Sequence, residues 1–351
     1  MIRIALGLAL LALTLAGSRA SEAVDLLRFP LAWGAVLLAL DGACRARHGR
    51  SPLATARDWL ACCGLSVAFW DVFELLNLRL QNWWYVGLSQ SSVAGSVFAA
   101  LSFATVLPAV RLGLCALSPR EEAPLAHAPA SRTLPLATAG ALALALPLAA
   151  PRFFFPCAWL FLWPLCEAAL SRSPVRSLPS PLEAARARDL RLPLRLIALA
   201  LPLGFVWESL NFGCERGWIY TVPFFEHPKL FEMPLPGYLG YVPFLLEAGA
   251  ALALLDRLQP RLRAHHLLLL LALHFAADGV SRPRTGLSKA PMHGALARTG
   301  FMGDAWAARL RALEIADERA LAGADEAALC RALPEVPCAV VRVWIDKARS
   351  R

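Results

Sequence analysis

The chain has 351 residues, of which 58% are hydrophobic and only 17% charged, and its mean hydropathy is +0.52. Such values exclude an ordinary soluble domain and predict an all-α, polytopic transmembrane helical bundle. The net charge of +9 is absorbed by membrane topology and anionic-lipid contact, so it does not require a nucleic-acid partner.

Apolar stretches near 4–17, 29–44, 58–78, 92–117, 133–150, 153–170, 194–212, 236–255 and 264–280 approach the ~20 residues that cross a hydrocarbon core. About nine spans are expected. The first stretch, with Arg3 before it and Ser18-Arg19-Ala20 after it, fits both a secretory signal peptide and a retained helix. Its place ahead of the first repeat block favours a retained helix. In a nine-span arrangement Arg3, the Arg45–Arg57 cluster, Arg120, Arg132, the run Arg172–Arg195 and Arg257, Arg261 and Arg263 share one side. The other side holds only Arg19, Arg28, Arg79, Arg152, Arg216 and Lys229. This bias places the N-terminus in the cytoplasm of a bacterial-type inner membrane.

The chain repeats itself. Phe29-Pro30-Leu31-Ala32-Trp33, with Asp41 eight residues after the Trp, returns 126 residues later as Phe155-Pro156-Cys157-Ala158-Trp159, with Glu167 eight residues on. Ser51-Pro52-Leu53 answers Ser180-Pro181-Leu182. Phe73-Glu74-Leu75-Leu76-Asn77, followed by Trp83-Trp84-Tyr85, answers Trp207-Glu208-Ser209-Leu210-Asn211, followed by Trp218-Ile219-Tyr220. The spacing predicts two four-helix repeats, 1–118 and 133–258, joined by a linker at 119–132. An even number of spans gives both the same orientation, about an axis along the membrane normal. A ninth span (259–284) and a tail (285–351) follow.

Glu74 with Asn77, and Glu208 with Asn211, stand three apart in apolar sequence, where such groups are costly. Asp71 adds a third polar group to the first set. These five are the candidate catalytic residues, with the glutamates as general acid or base and the asparagines orienting them; helix bridging is the equally weighted structural reading. Trp83, Trp84, Tyr85, Trp218 and Tyr220 are read as a substrate-holding aromatic cluster, alongside the membrane-interface belt that such residues ordinarily form. Glu247, deep in the eighth span, is a buried candidate acid with Arg111 as its expected partner. Asp41 and Glu167 are expected to form interfacial ion pairs with Arg45 and Arg47 and with Arg172. His274 is expected to pair with Asp278. The nine cysteines show no metal-ligand spacing, and neither a metal nor a cofactor is expected.

Two stretches resemble known families. The second unit, Trp207-Glu208 … Gly217-Trp218-Ile219-Tyr220 … Pro243-Phe244-Leu245-Leu246-Glu247, resembles the small membrane-embedded lycopene cyclase units, in which a Trp-Asp helix precedes a Gly-x-Trp-x-Tyr segment and a Pro-x-Glu-Glu helix. Trp70-Asp71 matches the helix start in the first unit. The sequence departs from that pattern in lacking the adjacent acid pair, since Glu247 stands alone. The resemblance implies protonation of an isoprenoid double bond by membrane carboxylic acids. In the tail, the run from Leu313 to Ile345 resembles a helix-hairpin-helix module, with Thr299-Gly300-Phe301-Met302-Gly303 as the nearest counterpart of its glycine-rich hairpin. DNA binding is not carried over, because the phosphate-binding glycine-rich hairpin of that family has no other counterpart here, and nine spans also leave the tail outside the cytoplasm.

The sequence thus leaves three functions open. The first is an enzyme acting on a hydrophobic lipid or isoprenoid, and the second a proton- or ion-coupled transporter using the same carboxylates. The third is a scaffold whose tail recruits a protein partner or a second copy. Membrane lipids are partners in each. The tail core is expected from Leu310, Leu313, Leu321, Leu329, Leu333, Val341 and Trp344, with Cys330 and Cys338 near enough to pair.

Overall fold

The computed structural model describes residues 1–89, 92–127, 133–172, 178–214, 216–224, 228–289 and 304–349. The chain is a multi-pass helical membrane protein. Among the described residues seven helices are long and apolar enough to cross a membrane: Ile2–Ala20, Arg28–His48, Ala56–Leu80, Val93–Leu117, Arg191–Asn211, Leu235–Arg261 and Ala264–Arg282. Pro151–Trp159 and Leu162–Leu170 are long and apolar enough only as a pair, bent by 42°, the shape of a broken span or a re-entrant loop. Thr133–Ala149 is a shorter apolar helix. Each of the nine expected apolar stretches is therefore helical.

We label the helices α1 (Ile2–Ala20), α2 (Arg28–His48), α3 (Ala56–Leu80), α4 (Ser92–Phe103), α5 (Val106–Leu117), α6 (Thr133–Ala149), α7 (Leu162–Leu170), α8 (Arg191–Asn211), α9 (Tyr241–Leu258) and α10 (Ala264–Thr285). Helix α1 lies along α2 on a seam of small residues. A Cβ on Gly7 would meet the Ala35 carbonyl oxygen at 2.7 Å, and one on Gly42 would meet the Ile4 nitrogen at 2.8 Å. Such backbone approach is how helices gain contact in lipid, where no hydrophobic drive separates them from the solvent. Helix α6 lies on α7 in a similar way, with Gly140 against Leu165 and the Phe161 carbonyl.

Glu167 holds the loop that follows it, whereas Asp41 pairs with Arg3 of α1 and with Arg45 of its own helix. Glu167 accepts from the Ser180 hydroxyl at 2.5 Å, the Leu182 backbone at 3.1 Å and Trp163 at 3.1 Å. Two expected pairings are corrected. Arg47 donates to the Ser118 carbonyl instead of Asp41, and Glu167 is served by a serine, a backbone amide and an indole in place of Arg172. A buried carboxylate needs several hydrogen bonds, and a loop that folds over it supplies them without bringing a second charge out of water.

Among the described residues a three-stranded sheet interrupts the helices, made of β1 (Trp83–Ser89), β2 (Gly217–Tyr220) and β3 (Gly286–Lys289) in the order β2-β1-β3, and Lys229–Leu230 pairs with Met233–Pro234 in a short two-stranded sheet. The tail forms α11 (Asp304–Ala312), α12 (Glu318–Ala322), α13 (Glu326–Ala332) and α14 (Cys338–Arg349). Asp317 and Asp325 cap α12 and α13, accepting from Ala320 at 2.7 Å and Ala327 at 3.0 Å. Leu310, Leu321, Leu329, Leu333, Val341 and Trp344 form its core with Val336, Val340, Ile345 and Ala348, and Cys330 and Cys338 are joined. Leu313 is exposed instead, because the chain turns just after α11 through Glu314 at φ 64°. The core also takes in Trp84 and Ile219, so the tail packs on β1 and β2. The Thr299–Gly303 stretch lies outside the described residues.

Candidate functional site

The site begins where α3 and α8 end. The last turn of a helix leaves carbonyls unsatisfied, and the chain must reverse to continue. After α3 it does so through Gln81 at φ 52°, and after α8 through Gly213 at φ 70°. Asn77 fixes the first reversal: its Nδ2 donates to the Trp83 carbonyl at 2.8 Å, and its Oδ1 accepts from the Asn82 amide at 2.8 Å. Asn211 fixes the second in the same manner, donating to the Trp218 carbonyl at 2.8 Å and accepting from the Trp218 amide at 2.9 Å. The asparagines therefore bind backbone and do not orient the glutamates. A carboxamide carries a donor and an acceptor side by side, which matches a peptide group at a turn.

These clamps bring β1 against β2 antiparallel. Trp83 stands opposite Tyr220, Trp84 opposite Ile219, and Tyr85 opposite Trp218. The two Trp-x-Tyr segments thus meet about a local two-fold that passes between Trp84 and Ile219. Alternation along the strand turns Trp84 outward into the tail core, away from the other aromatics. It is removed from the candidate substrate-binding set.

On the inner face the glutamates are held by neutral donors. Glu74 Oε1 accepts from the Trp70 indole at 2.8 Å, the Trp83 indole at 3.2 Å and the Tyr85 hydroxyl at 2.5 Å. Glu208 Oε1 accepts from the Tyr220 hydroxyl at 2.8 Å and the Tyr241 hydroxyl at 2.5 Å. Trp218 donates to Tyr220 at 2.9 Å, so in the second copy the indole reaches the acid through a phenol. Burial, and then the adjacent carboxylate, pushes the Tyr85 and Tyr220 phenols well above their ordinary range, which keeps both as donors.

Two cavities flank the ladder. The smaller, about 60 Å³, is lined by Glu74, Tyr85, Trp218 and Tyr220 together with Arg216 and Arg282. The larger, about 340 Å³, is bounded by Trp33, Trp83, Tyr241, Phe244 and Met233 and by Asn82. Trp70, Trp83, Trp159, Trp207 and Tyr220 line both. The larger cavity lies in the ordinary size range of small-molecule sites. Glu208 is fully buried and lines neither cavity; Tyr220 and Tyr241, its two donors, stand between it and the larger one. Glu74 therefore meets a cavity directly, and Glu208 does so only through phenols.

Other expected residues lie elsewhere. Asp71 pairs with His274 Nδ1 at 2.9 Å, and the other ring nitrogen of His274 meets the Ser96 carbonyl at 2.9 Å. Three helical residues turn through about 300°, so Asp71 and Glu74 diverge by about 60°, enough here to send one to α10 and the other to the cavity. Asp278 meets the Ser96 hydroxyl at 2.5 Å and Arg282 at 2.8 Å, so the His274–Asp278 pair does not form. Glu247 is fully buried at the break before α7, where it accepts from the Leu162 amide at 2.8 Å. It answers an orphan amide of a helix start and lines neither cavity. Arg111 pairs with Asp256 at 2.6 Å instead of Glu247. Among the described residues no three His, Cys, Asp or Glu side chains converge as metal ligands.

Sequence reasoning missed the aromatic wall. Trp33, Trp70, Trp159, Trp207 and Phe244 line the larger cavity, and Tyr241 holds Glu208. Trp33 and Trp159 close the two Phe-Pro-x-Ala-Trp blocks, and that recurrence was the signal available. Comparison with family models, with curated proteins and with solved structures returns no match to this chain.

Proposed function

We propose that the protein is a membrane-embedded enzyme acting on a hydrophobic lipid or isoprenoid, with Glu74 as general acid or base on the smaller cavity and Glu208 linked through Tyr220 and Tyr241 to the larger one, which shares its tryptophan wall. The observation that carries this reading is the placement of the Glu74 carboxylate, held by two indoles and a phenol, in a cavity walled by tryptophan. A carboxyl group so placed can pass its proton to a double bond, and indole faces stabilise the carbocation that results until a proton leaves it again. This is the chemistry that the resemblance to lycopene cyclase units implies. The reading includes two like-oriented repeats, an N-terminus in the cytoplasm of a bacterial-type inner membrane, and a ladder and tail on the outer side.

The test is expression of the full chain in a host that makes membrane isoprenoids, with analysis of the extracted lipids. The wild type is expected to change the product profile and Glu74→Gln to lower that change by about 10²–10⁴-fold. An unchanged profile with the wild type removes the enzyme reading. The 42° break between Trp159 and Leu162 supports a second reading, a proton-coupled transporter, because broken helices build many transporter sites. Flux into proteoliposomes that depends on a pH gradient, without a new lipid product, selects it. A tail that retains a partner protein in the absence of both activities selects the scaffold.

A further inference from the structure

The wall of the larger cavity is aromatic and aliphatic apart from a few polar groups, and two of its residues carry unsatisfied ones: the Trp33 indole, which can only donate, and the Asn82 carboxamide, which can donate and accept. Asn82 is 3% exposed, lines the cavity, and neither its Nδ2 nor its Oδ1 has a hydrogen-bond partner. Its backbone is fully engaged: the amide donates to Asn77 Oδ1 at 2.8 Å and the carbonyl accepts from the Thr221 amide at 2.8 Å. The residue is thus pinned at the mouth of β1 with a free carboxamide. Leaving such a group dry is destabilising, and nothing in the turn requires it, because Asn77 already clamps the reversal.

The second repeat lacks the group. The position before Trp218 is Gly217, where an added Cβ would lie 2.5 Å from Asn211 Oδ1. A side chain is excluded there, so the two-fold that relates the tryptophans and tyrosines is broken at this place too, and the cavity has a carboxamide on one side only.

We propose that the larger cavity binds an apolar molecule bearing a hydroxyl group, and that Asn82 recognises that hydroxyl. The inference rests on the lipid-site reading above and adds the chemical class. A hydroxyl is the smallest group that answers both halves of the carboxamide, accepting from Nδ2 and donating to Oδ1. A hydrocarbon answers neither, and an ether or ester answers only Nδ2. The tryptophans pack the apolar body, and the single amide sets which end of the molecule enters first.

The experiment uses the full chain in lipid nanodiscs and follows tryptophan emission, since Trp70, Trp83, Trp159 and Trp207 line the cavity. The probes are farnesol, its methyl ether and the matching triene without oxygen, each corrected for partition into empty nanodiscs. The expected order of affinity is alcohol, then ether, then hydrocarbon, with about tenfold or more between the first and last. In Asn82→Leu that preference is expected to collapse to less than about twofold. Equal affinity for all three in the wild type overturns the role of Asn82 and leaves the cavity reading standing, with water serving the amide. Retention of the preference in Asn82→Leu overturns it as well. Failure of every probe to bind overturns both this inference and the lipid-site reading. The three wild-type measurements decide the matter even if the variant does not fold.

Discussion

Trp159 of the second repeat block stacks on Phe73 of α3, with ring centroids 5.3 Å apart and planes 18° from parallel. The reverse contact also exists: Trp33 of the first block packs on Trp207 of α8 at 5.4 Å. Phe73 and Trp207 each precede the buried glutamate of their own helix. Each block therefore supports the glutamate helix of the other half, and the halves are exchanged across the centre of the bundle. Trp159→Ala and Trp33→Ala are each expected to destabilise the protein by about 3 kcal/mol, with much smaller losses in the phenylalanine variants. Thermal unfolding in detergent checks the pair, and equal losses in the two positions are the outcome expected of this exchange.

The asparagine clamps supply a second prediction. Asn77→Leu removes the partner of the Trp83 carbonyl and the Asn82 amide, and Asn211→Leu removes both bonds to Trp218. Each buried group left unpaired is expected to lower stability by about 1–3 kcal/mol. Hydrogen exchange at the ladder amides should rise in both variants before any helix opens.

A third concerns the first helix. Gly42→Leu places a side chain where the backbone of Ile4 now lies, with the nearest atom 2.8 Å from the added Cβ. Helix α1 must then move off α2, and Asp41 loses its contact with Arg3. A cysteine cross-link between α1 and α2 that forms readily in the parent background is expected to fail in this variant, while the ladder remains intact.

Acid should loosen the link between the halves. The Arg195 guanidinium, followed by Arg191, holds the Glu122 carboxyl below its ordinary value. Arg195 reaches it at 2.5 Å and Arg191 at 3.0 Å. A depressed carboxylate contributes stability above its unfolded value of about 4.3 and loses it as pH falls through the lower folded value. Half-exposed pairs of this kind are worth little singly, so the expected effect is a fall of a few tenths to 1 kcal/mol between about pH 5 and pH 3. Glu122→Gln should remove that part of the acid response and should itself lower stability above pH 6 by the same few tenths to 1 kcal/mol, because the charged carboxylate is then missing.

The tail offers a topological prediction. Cys330 and Cys338 are joined, and persistent disulfides belong to oxidising compartments. With the tail on the outer side, a membrane-impermeant thiol reagent should label these two in intact cells only after mild external reduction. Labelling that requires lysis places them in the cytoplasm.

Much of the fold was legible because a helix in lipid announces itself by a long apolar run, and all nine runs are helical. The strands were not. Tyr220 and Trp83 pair across more than a hundred residues, and four-residue strands carry too little alternation to stand out from an aromatic belt. At the site, Glu74, Trp83, Tyr85, Trp218 and Tyr220 were legible from recurrence alone. Asp71, Glu247 and Trp84 were misplaced for three separate reasons: helical phase, an orphan amide at a broken helix, and strand alternation. Asn77 and Asn211 were found but misread, since sequence does not distinguish an amide that serves a side chain from one that serves a turn.

The outer face of the β1–β2 ladder is covered by the last helices of the chain, with Trp84 and Ile219 sharing one core with Leu333, Val341 and Trp344. During synthesis that face stands bare from the moment the two strands meet until α14 has emerged and, in the topology proposed here, crossed the membrane. A chain truncated before α14 would keep every residue of both cavities yet leave the back of the ladder uncovered. A stretch made after the cavities acts as the clasp on an arrangement whose parts were laid down before it.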